Sequence, residues 1–318
     1  MNMIIHDDGH TNVVAADGLL PPDALFEKTG NPHFKADSFD FIITNPPFGS
    51  SVRQAEQAYF HQYRLANKGA DWLNPKSKAA SRPAQDTEIL FIEQCHTYLR
   101  AGGYLAVVIP DGILTNSSLQ YVRDQIESLY RIVAVVSMPQ TAFAATGAGV
   151  KSSVLFLRKY SAEQTKSIDS LRQGLQEDIK AQHQLEKKLT QLEAGKKDVL
   201  KKQTGFLNTE LGRKAALELG ALSGLATEKT LTLEDTRIYA AWKKEINDQF
   251  AEKADAIKFA ASEAYDTLLR QRLNDYDIFM AIANDIGYDA TGRETRANEL
   301  TEIGAALREF IAQMERIQ

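Results

Sequence analysis

Five short apolar runs do most to narrow what this chain can fold into. NVVAA (12–16), FDFIIT (39–44), YLAVVI (104–109), RIVAVVS (131–137) and SVLFLR (153–158) are almost continuously apolar rather than alternating. Strands of that kind are buried on both faces, the condition of a largely parallel sheet covered by helices. Amphipathic segments lie between them. TEILFIEQCHTYLR (87–100) predicts a helix with Asp86 or Thr87 as its N-cap and Gly102-Gly103 as its stop. SLQYVRDQIESLY (118–130) puts Leu119, Val122, Ile126 and Leu129 on one face of another. Strand and helix in alternation predict an α/β domain over residues 1–160.

The pattern changes near residue 161. Residues 162–202 contain no proline, few aromatics and mixed charge, and Ile168, Leu171, Leu175, Leu185, Leu189, Leu192 and Val199 follow a heptad spacing. Asp178, Gln182 and Lys196 interrupt that seam, so the segment reads as one long helix with an imperfect coiled-coil face. A second long helix is predicted over 234–273, with Trp242, Ile246, Phe250, Ile257, Tyr265 and Leu268 on one side, and a helical tail over 294–317. The second half, 161–318, is thus expected to be all-α, its long helices paired antiparallel. No run approaches the roughly 18 apolar residues of a membrane span. The single cysteine, Cys95, excludes an internal disulfide and fits a reducing cytoplasm. A net charge of −5 argues against a nucleic-acid binder basic over its whole surface, but not against a local basic one.

FDFIIT runs directly into Asn45-Pro46-Pro47-Phe48. Open parallel sheets gather their chemistry at the carboxyl ends of strands, where Asn45 stands. A residue before proline is kept out of the helical region, so Asn45 stays extended. The two prolines fix φ and remove two N–H donors. What remains is a rigid corner of acceptors, the Asn45 side-chain oxygen and the carbonyls of Pro46 and Pro47, beside the flat ring of Phe48. Such a corner suits the exocyclic amine of a nucleobase. Two acceptors taking its two N–H bonds orient the nitrogen lone pair, and the ring stacks on a base flipped out of its helix. Taken alone, N-P-P-F is equally a proline turn closing a strand, with Phe48 in the core.

Three stretches together resemble the adenine-N6 DNA methyltransferases: FDFIITNPPFG, EILFIEQCHTYLRAGGYLAVVIPDGIL and RIVAVVSMPQTAFAATGAGVKSSVLFLRK. The likeness is strongest to the modification subunit of type I restriction–modification systems and covers roughly residues 1–160. It implies a Rossmann-like sheet, S-adenosylmethionine as cofactor and adenine in DNA as acceptor, with Asn45, Pro46, Pro47 and Phe48 as the catalytic motif. It also implies that Asp17, ending NVVAAD, binds the cofactor's adenine amine; from the residues alone, Asp17 is as readily a turn carboxylate before Gly18. Phe143 falls in the region that faces the target base. The partners implied are DNA, a specificity subunit packed on the C-terminal helices and a restriction subunit.

Residues 50–85 read as a long aperiodic loop. Arg53, Arg64, Lys68, Lys76, Lys78 and Arg82 stand there against Glu56 and Asp71, with Tyr59, Phe60, Tyr63 and Trp72 interleaved. Positive charge among aromatics suggests contact with DNA, Arg53 and Lys76 being the named candidates. The bland alternative is a solvated loop with packing aromatics. HDDGH (6–10) invites a metal reading, which is set aside because Gly9 reads as a helix end and the chemistry needs no metal.

In the resembled fold the strand order is 3-2-1-4-5-7-6, with a glycine-rich cofactor turn after the first strand. No G-x-G occurs in the first hundred residues, and NVVAA corresponds to the third strand. FDFIIT is therefore expected to have an open edge and NVVAA no neighbour, and open apolar edges invite association. The α/β domain is expected to be incomplete, lacking its first strands, with a separate N-terminal half supplied in trans or lost. Two other readings stand beside this one. One is a non-catalytic remnant whose helical half binds a partner. The other is an Asn-Pro-Pro methyltransferase acting on RNA guanine or protein glutamine.

Overall fold

The computed structural model describes residues 13–54, 58–144, 149–223, 232–273 and 275–317. Helix α1 (Pro22–Thr29) and strand β1 (Phe39–Thr44) come first. Four short strands follow: β2 (Ser51–Arg53), β3 (Asn67–Lys68), β4 (Ala80–Ser81) and β5 (Ala84–Asp86). Next are α2 (Thr87–Tyr98), β6 (Leu99–Pro110), the short α3 (Asp111–Thr115), α4 (Gln120–Leu129), β7 (Tyr130–Ser137) and β8 (Ser152–Lys159). The helices α5 (Ala162–Gln182), α6 (Leu185–Lys201), α7 (Gln203–Leu207), α8 (Glu210–Ser223) and α9 (Arg237–Arg272) come after them. Strands β9 (Phe279–Ile282), β10 (Ile286–Tyr288) and β11 (Glu294–Asn298) precede the last helix, α10 (Leu300–Ile317).

The main sheet has the order β1-β6-β8-β7-β9. β1 is parallel to β6, β8 is antiparallel to both β6 and β7, and β9 is parallel to β7. The run β1-β6-β8-β7 is the 4-5-7-6 portion of the order implied by the resemblance. One face buries Leu105, Val107, Ile109, Leu155 and Leu157 against Ile89 and Ile92 of α2 and Val122 and Ile126 of α4. On the other face α10 covers Val136, Phe156 and Ala281 through Leu300 and Ile303. The Tyr104 hydroxyl donates to Glu315 Oε1 at 2.7 Å on that side. Close pairing of β1 with β6 depends on Gly103, where a Cβ would meet the Asp40 carbonyl at 3.0 Å.

Two expectations change here. Residues 13–16 of NVVAA form no strand, while β1 has the open edge expected of it among the described residues. An apolar run becomes a strand only when a neighbour takes its backbone groups, and this run has none among the described residues. β1 is left with Phe41 67% and Ile43 84% exposed. The second half is not all helical either: Phe279–Ile282 adds a strand beside β7, and Glu294–Asn298 is strand rather than the start of a tail helix. A short apolar run such as FMAI fits helix or strand equally by pattern, and the open edge of β7 decides it. The described residues fall into two compact units, one within 1–69, 78–170 and 275–318 and the other within 70–77 and 171–274.

In the second unit the predicted long helix breaks at His183 and Gln184, the latter at φ 49° in the left-handed region. Leu185 packs with Ala261 and Tyr265, and Gly195 lies opposite Phe250, so α6 runs antiparallel to α9. Trp72 joins that core against Tyr265, ring centroids 5.1 Å apart. A second cluster gathers Phe206, Tyr239 and Trp242 beside the start of α9, which Thr236 caps by accepting the Tyr239 N–H. No helix among the described residues is long and apolar enough to cross a membrane.

The end of α2 carries a pH-sensitive element. Lys159 is buried, and its ammonium donates to the carbonyls of His96 and Leu99 at 2.7 Å and to Asp37 Oδ1 at 2.6 Å. His96 stands edge-on to Tyr130, its Nε2 buried without a hydrogen-bond partner among the described residues. Burial first, then the Lys159 charge, lowers the His96 pKa from 6.5 to about 4. The unfolded chain therefore binds a proton that the folded chain refuses between those values. Stability is undiminished above pH 6.5 and falls as the pH drops toward 4. The loss reaches about 3 kcal/mol at the lower limit. Urea unfolding of wild type and His96→Phe across this range checks it: the substitution should flatten the slope, and parallel slopes would refute the assignment.

Candidate active site

β6 and β7 run the same way, both being antiparallel to β8, and β1 is parallel to β6. The carboxyl ends of β1, β6 and β7 therefore share one edge of the sheet. β1 pairs as far as Thr44 with Val107 and stops where Pro46 and Pro47 lack N–H groups. Asn45 is exposed, Pro46 buried, Pro47 exposed and Phe48 half-buried. Gly49 follows at φ 73°, a left-handed turn that glycine adopts without strain. No hydrogen bond among the described residues ties down the Asn45 amide.

The segment after β7 brings Phe143 to the same place. The Phe48 and Phe143 rings meet edge-to-face, centroids 6.5 Å apart and planes at 85°. The neck of that segment is held shut. The Met138 N–H donates to the Ser152 carbonyl at 3.0 Å, and Gln140 Nε2 to the Gly149 carbonyl at 2.8 Å. Lys151 Nζ donates to Ser137 Oγ at 2.9 Å and to the Met138 carbonyl. At the end of β6, Asp111 Oδ1 accepts the Ser153 hydroxyl at 2.7 Å.

Of the three backbone and side-chain acceptors expected in the corner, one is already engaged. The Pro47 carbonyl lies 3.0 Å from the Thr87 hydroxyl, which leaves the Asn45 amide and the Pro46 carbonyl as the acceptor pair. Asp17 is held in a turn: its Oδ1 accepts the Leu19 N–H at 3.0 Å and its Oδ2 the Tyr59 hydroxyl at 2.5 Å. Arg53 is exposed on β2 opposite Ala84. Lys76 belongs to the other compact unit, where its ammonium pairs with Glu193.

The aperiodic loop of 50–85 is largely structured. Tyr59, Phe60 and Tyr63 are buried with Leu19 and Leu90. The Tyr63 hydroxyl lies 2.5 Å from the Leu19 carbonyl and 2.9 Å from Gln94 Oε1. Those rings fill space between residues 17–20 and α2, where both tyrosine hydroxyls find acceptors and Phe60 packs by its apolar ring alone. Arg82 lies over the Tyr121 ring at 3.8 Å, and Arg64 faces Asp169 at 3.6 Å. HDDGH (6–10) lies outside the described residues, among which no group of three His, Cys, Asp or Glu could hold a metal. Burial pushes the Cys95 thiol up to about 12, which rules it out as a nucleophile near neutral pH. Sequence reasoning gave Thr87 only a capping role and did not single out Glu88. Both lie against the Pro47–Ser50 turn, and the one signal was their place immediately before a helix.

The model of the family described as N-6 DNA Methylase matches residues 1–206. "Defense against restriction protein B" of Escherichia phage P1 is 21% identical over 172 residues, 53% of this chain and 6% of that protein. Among solved structures, a modification subunit of a putative type I restriction enzyme from Vibrio vulnificus YJ016 is 18% identical, with a TM-score of 0.35 over 50% of this chain and 29% of that one. The type I restriction enzyme EcoKI M protein is 21% identical, with a TM-score of 0.33 over 52% and 29%. A putative class I S-adenosylmethionine-dependent methyltransferase from Listeria monocytogenes is 24% identical, with a TM-score of 0.29 over 39% and 32%. The chain spans less than a third of the length of each of these relatives.

Proposed function

We propose that this chain, which belongs to the N-6 DNA methylase family, provides the acceptor side of adenine-N6 methylation in DNA. The observation that carries the reading is an exposed Asn45 on a proline-fixed corner, with Phe48 and Phe143 set 6.5 Å apart beside it. Asn45 Oδ1 and the Pro46 carbonyl accept the two N–H bonds of the target amine and turn its lone pair outward. Phe48 stacks on the flipped base, and Phe143 closes the opposite side after turning from its edge-on position. S-adenosylmethionine, when bound, supplies the electrophilic methyl group. Asp17 fits the part assigned to it, since its half-buried carboxylate oxygens each accept one hydrogen bond and retain a lone pair for an adenine amine. Arg53 supports the reading as an exposed cation on the strand leaving the motif. Lys76 is a weaker DNA contact because Glu193 neutralises it.

The free edge of β1 supports a further element of this proposal. Exposed Phe41 and Ile43 would be covered by polypeptide that completes the cofactor side, such as a separate N-terminal half. Partners of the resembled systems, a specificity subunit and a restriction subunit, are proposed to complete the assembly. The test is transfer of radiolabelled methyl to DNA, RNA and protein, by the chain alone and with an N-terminal half added. Label in DNA adenine only with the added half is the expected result. Label in RNA guanine or protein glutamine would replace the substrate assignment, and no label under any condition would leave a non-catalytic, partner-binding role.

A further inference from the structure

We propose that Thr87, in the first turn of α2, is a positioning residue that fixes the Asn45–Phe48 corner; the proposal rests on the methyl-transfer reading of that corner. The Thr87 backbone N–H donates to the Ser50 carbonyl at 2.9 Å. Its hydroxyl lies 3.0 Å from the carbonyls of both Pro47 and Ser50, so one proton serves the two. The Glu88 carboxylate is buried, with its Oε2 3.4 Å from the Thr87 hydroxyl. The Ser51 hydroxyl donates to Asp86 Oδ1 at 2.6 Å, where β2 begins to pair with β5. Pro47, Ser50 and Ser51 are thus each tied to Asp86 or Thr87.

These ties act on the torsions that the prolines leave free. Proline fixes φ at Pro46 and Pro47 but not ψ. Holding the Pro47 carbonyl sets ψ of Pro47, and holding the Ser50 carbonyl fixes the exit from the left-handed turn at Gly49. The support is rigid: Ile89, Leu90 and Ile92 in the same helix are at most 1% exposed. Gln85, beside it, accepts the Tyr121 hydroxyl from α4 at 3.0 Å.

Ordinary helix capping does not account for the arrangement. An N-cap side chain normally turns back to the amides of its own helix. Asp86 makes no such bond, and its carboxylate serves Ser51 instead. Thr87 likewise directs its hydroxyl at the turn.

The experiment compares Thr87→Val with Thr87→Ser in the full chain by amide exchange at residue 87, whose N–H is given to Ser50, and by methyl-transfer kinetics in the completed assembly. Thr87→Val should speed that exchange on the order of tenfold, the worth of one hydrogen bond. It should lower kcat on the order of 10²-fold, as for a small misplacement of a reacting group, with KM for DNA unchanged. Thr87→Ser keeps the hydroxyl donor in place and should restore both. Unchanged exchange at residue 87 in Thr87→Val would overturn the proposal, as would equal impairment of the valine and serine variants. A wild-type assembly that transfers no methyl would instead overturn the reading of Asn45–Phe48, a result distinct from either.

Discussion

Asn45→Ala is expected to lower methyl transfer by the completed assembly on the order of 10²–10³-fold, the range measured when one preorganised polar contact to reacting charge is removed. The amine gains positive character as its lone pair is committed, so an acceptor on its N–H bonds is worth more in the transition state than in the bound ground state. The loss should therefore appear in kcat and in kcat/KM, with DNA affinity little changed. Stability should stay within about 0.5 kcal/mol of wild type, because Asn45 is exposed and alanine also accepts the extended conformation before proline. Steady-state methyl transfer and thermal unfolding on the same preparation decide the matter. Activity within threefold of wild type would remove Asn45 from the chemistry. A large fall in Tm would show that its role is in the fold.

Phe60→Ala is expected to cost about 3–5 kcal/mol, the usual range for removing a fully buried phenylalanine. Phe60 is 0% exposed and packs with Leu19, Tyr59, Tyr63, Ala66 and Leu90. The prediction separates two uses of one residue. A ring that stacked on DNA bases would lose DNA affinity on truncation and leave stability intact. A ring in this core should lower the urea midpoint and leave the DNA affinity of the remaining folded protein unaltered. Denaturation monitored at several urea concentrations, beside DNA binding at low temperature, distinguishes them.

The parts of this molecule that could be read from its sequence are those whose reason is local. FDFIIT, YLAVVI, RIVAVVS and SVLFLR are strands because their continuous apolar faces are covered on both sides or paired along an edge. Residues 13–16 of NVVAA have the same composition and form no strand, since nothing among the described residues pairs with them. Phe279–Ile282 escaped notice because four apolar residues after a 36-residue helix carry no period of their own. Tyr59, Phe60 and Tyr63 are hard to read because aromatics in an aperiodic stretch look alike whether they face bases or fill a core; the Asp17 carboxylate and Leu19 carbonyl that receive the tyrosines are set by the fold. The Asn-Pro-Pro-Phe corner was legible because proline imposes its constraint through covalent geometry. Thr87 was not, since it reaches the Pro47 carbonyl from 40 residues away.

The two prolines after β1 also bear on how the exposed edge behaves in a concentrated solution. Phe41 and Ile43 make the strand a template on which another chain can add, the first step of fibril growth. Templating needs an N–H at every second residue, and none is offered at Pro46 or Pro47. Any cross-β stack seeded on this edge therefore runs out at the end of Phe39–Thr44, and the amide of Asn45 stays outside it.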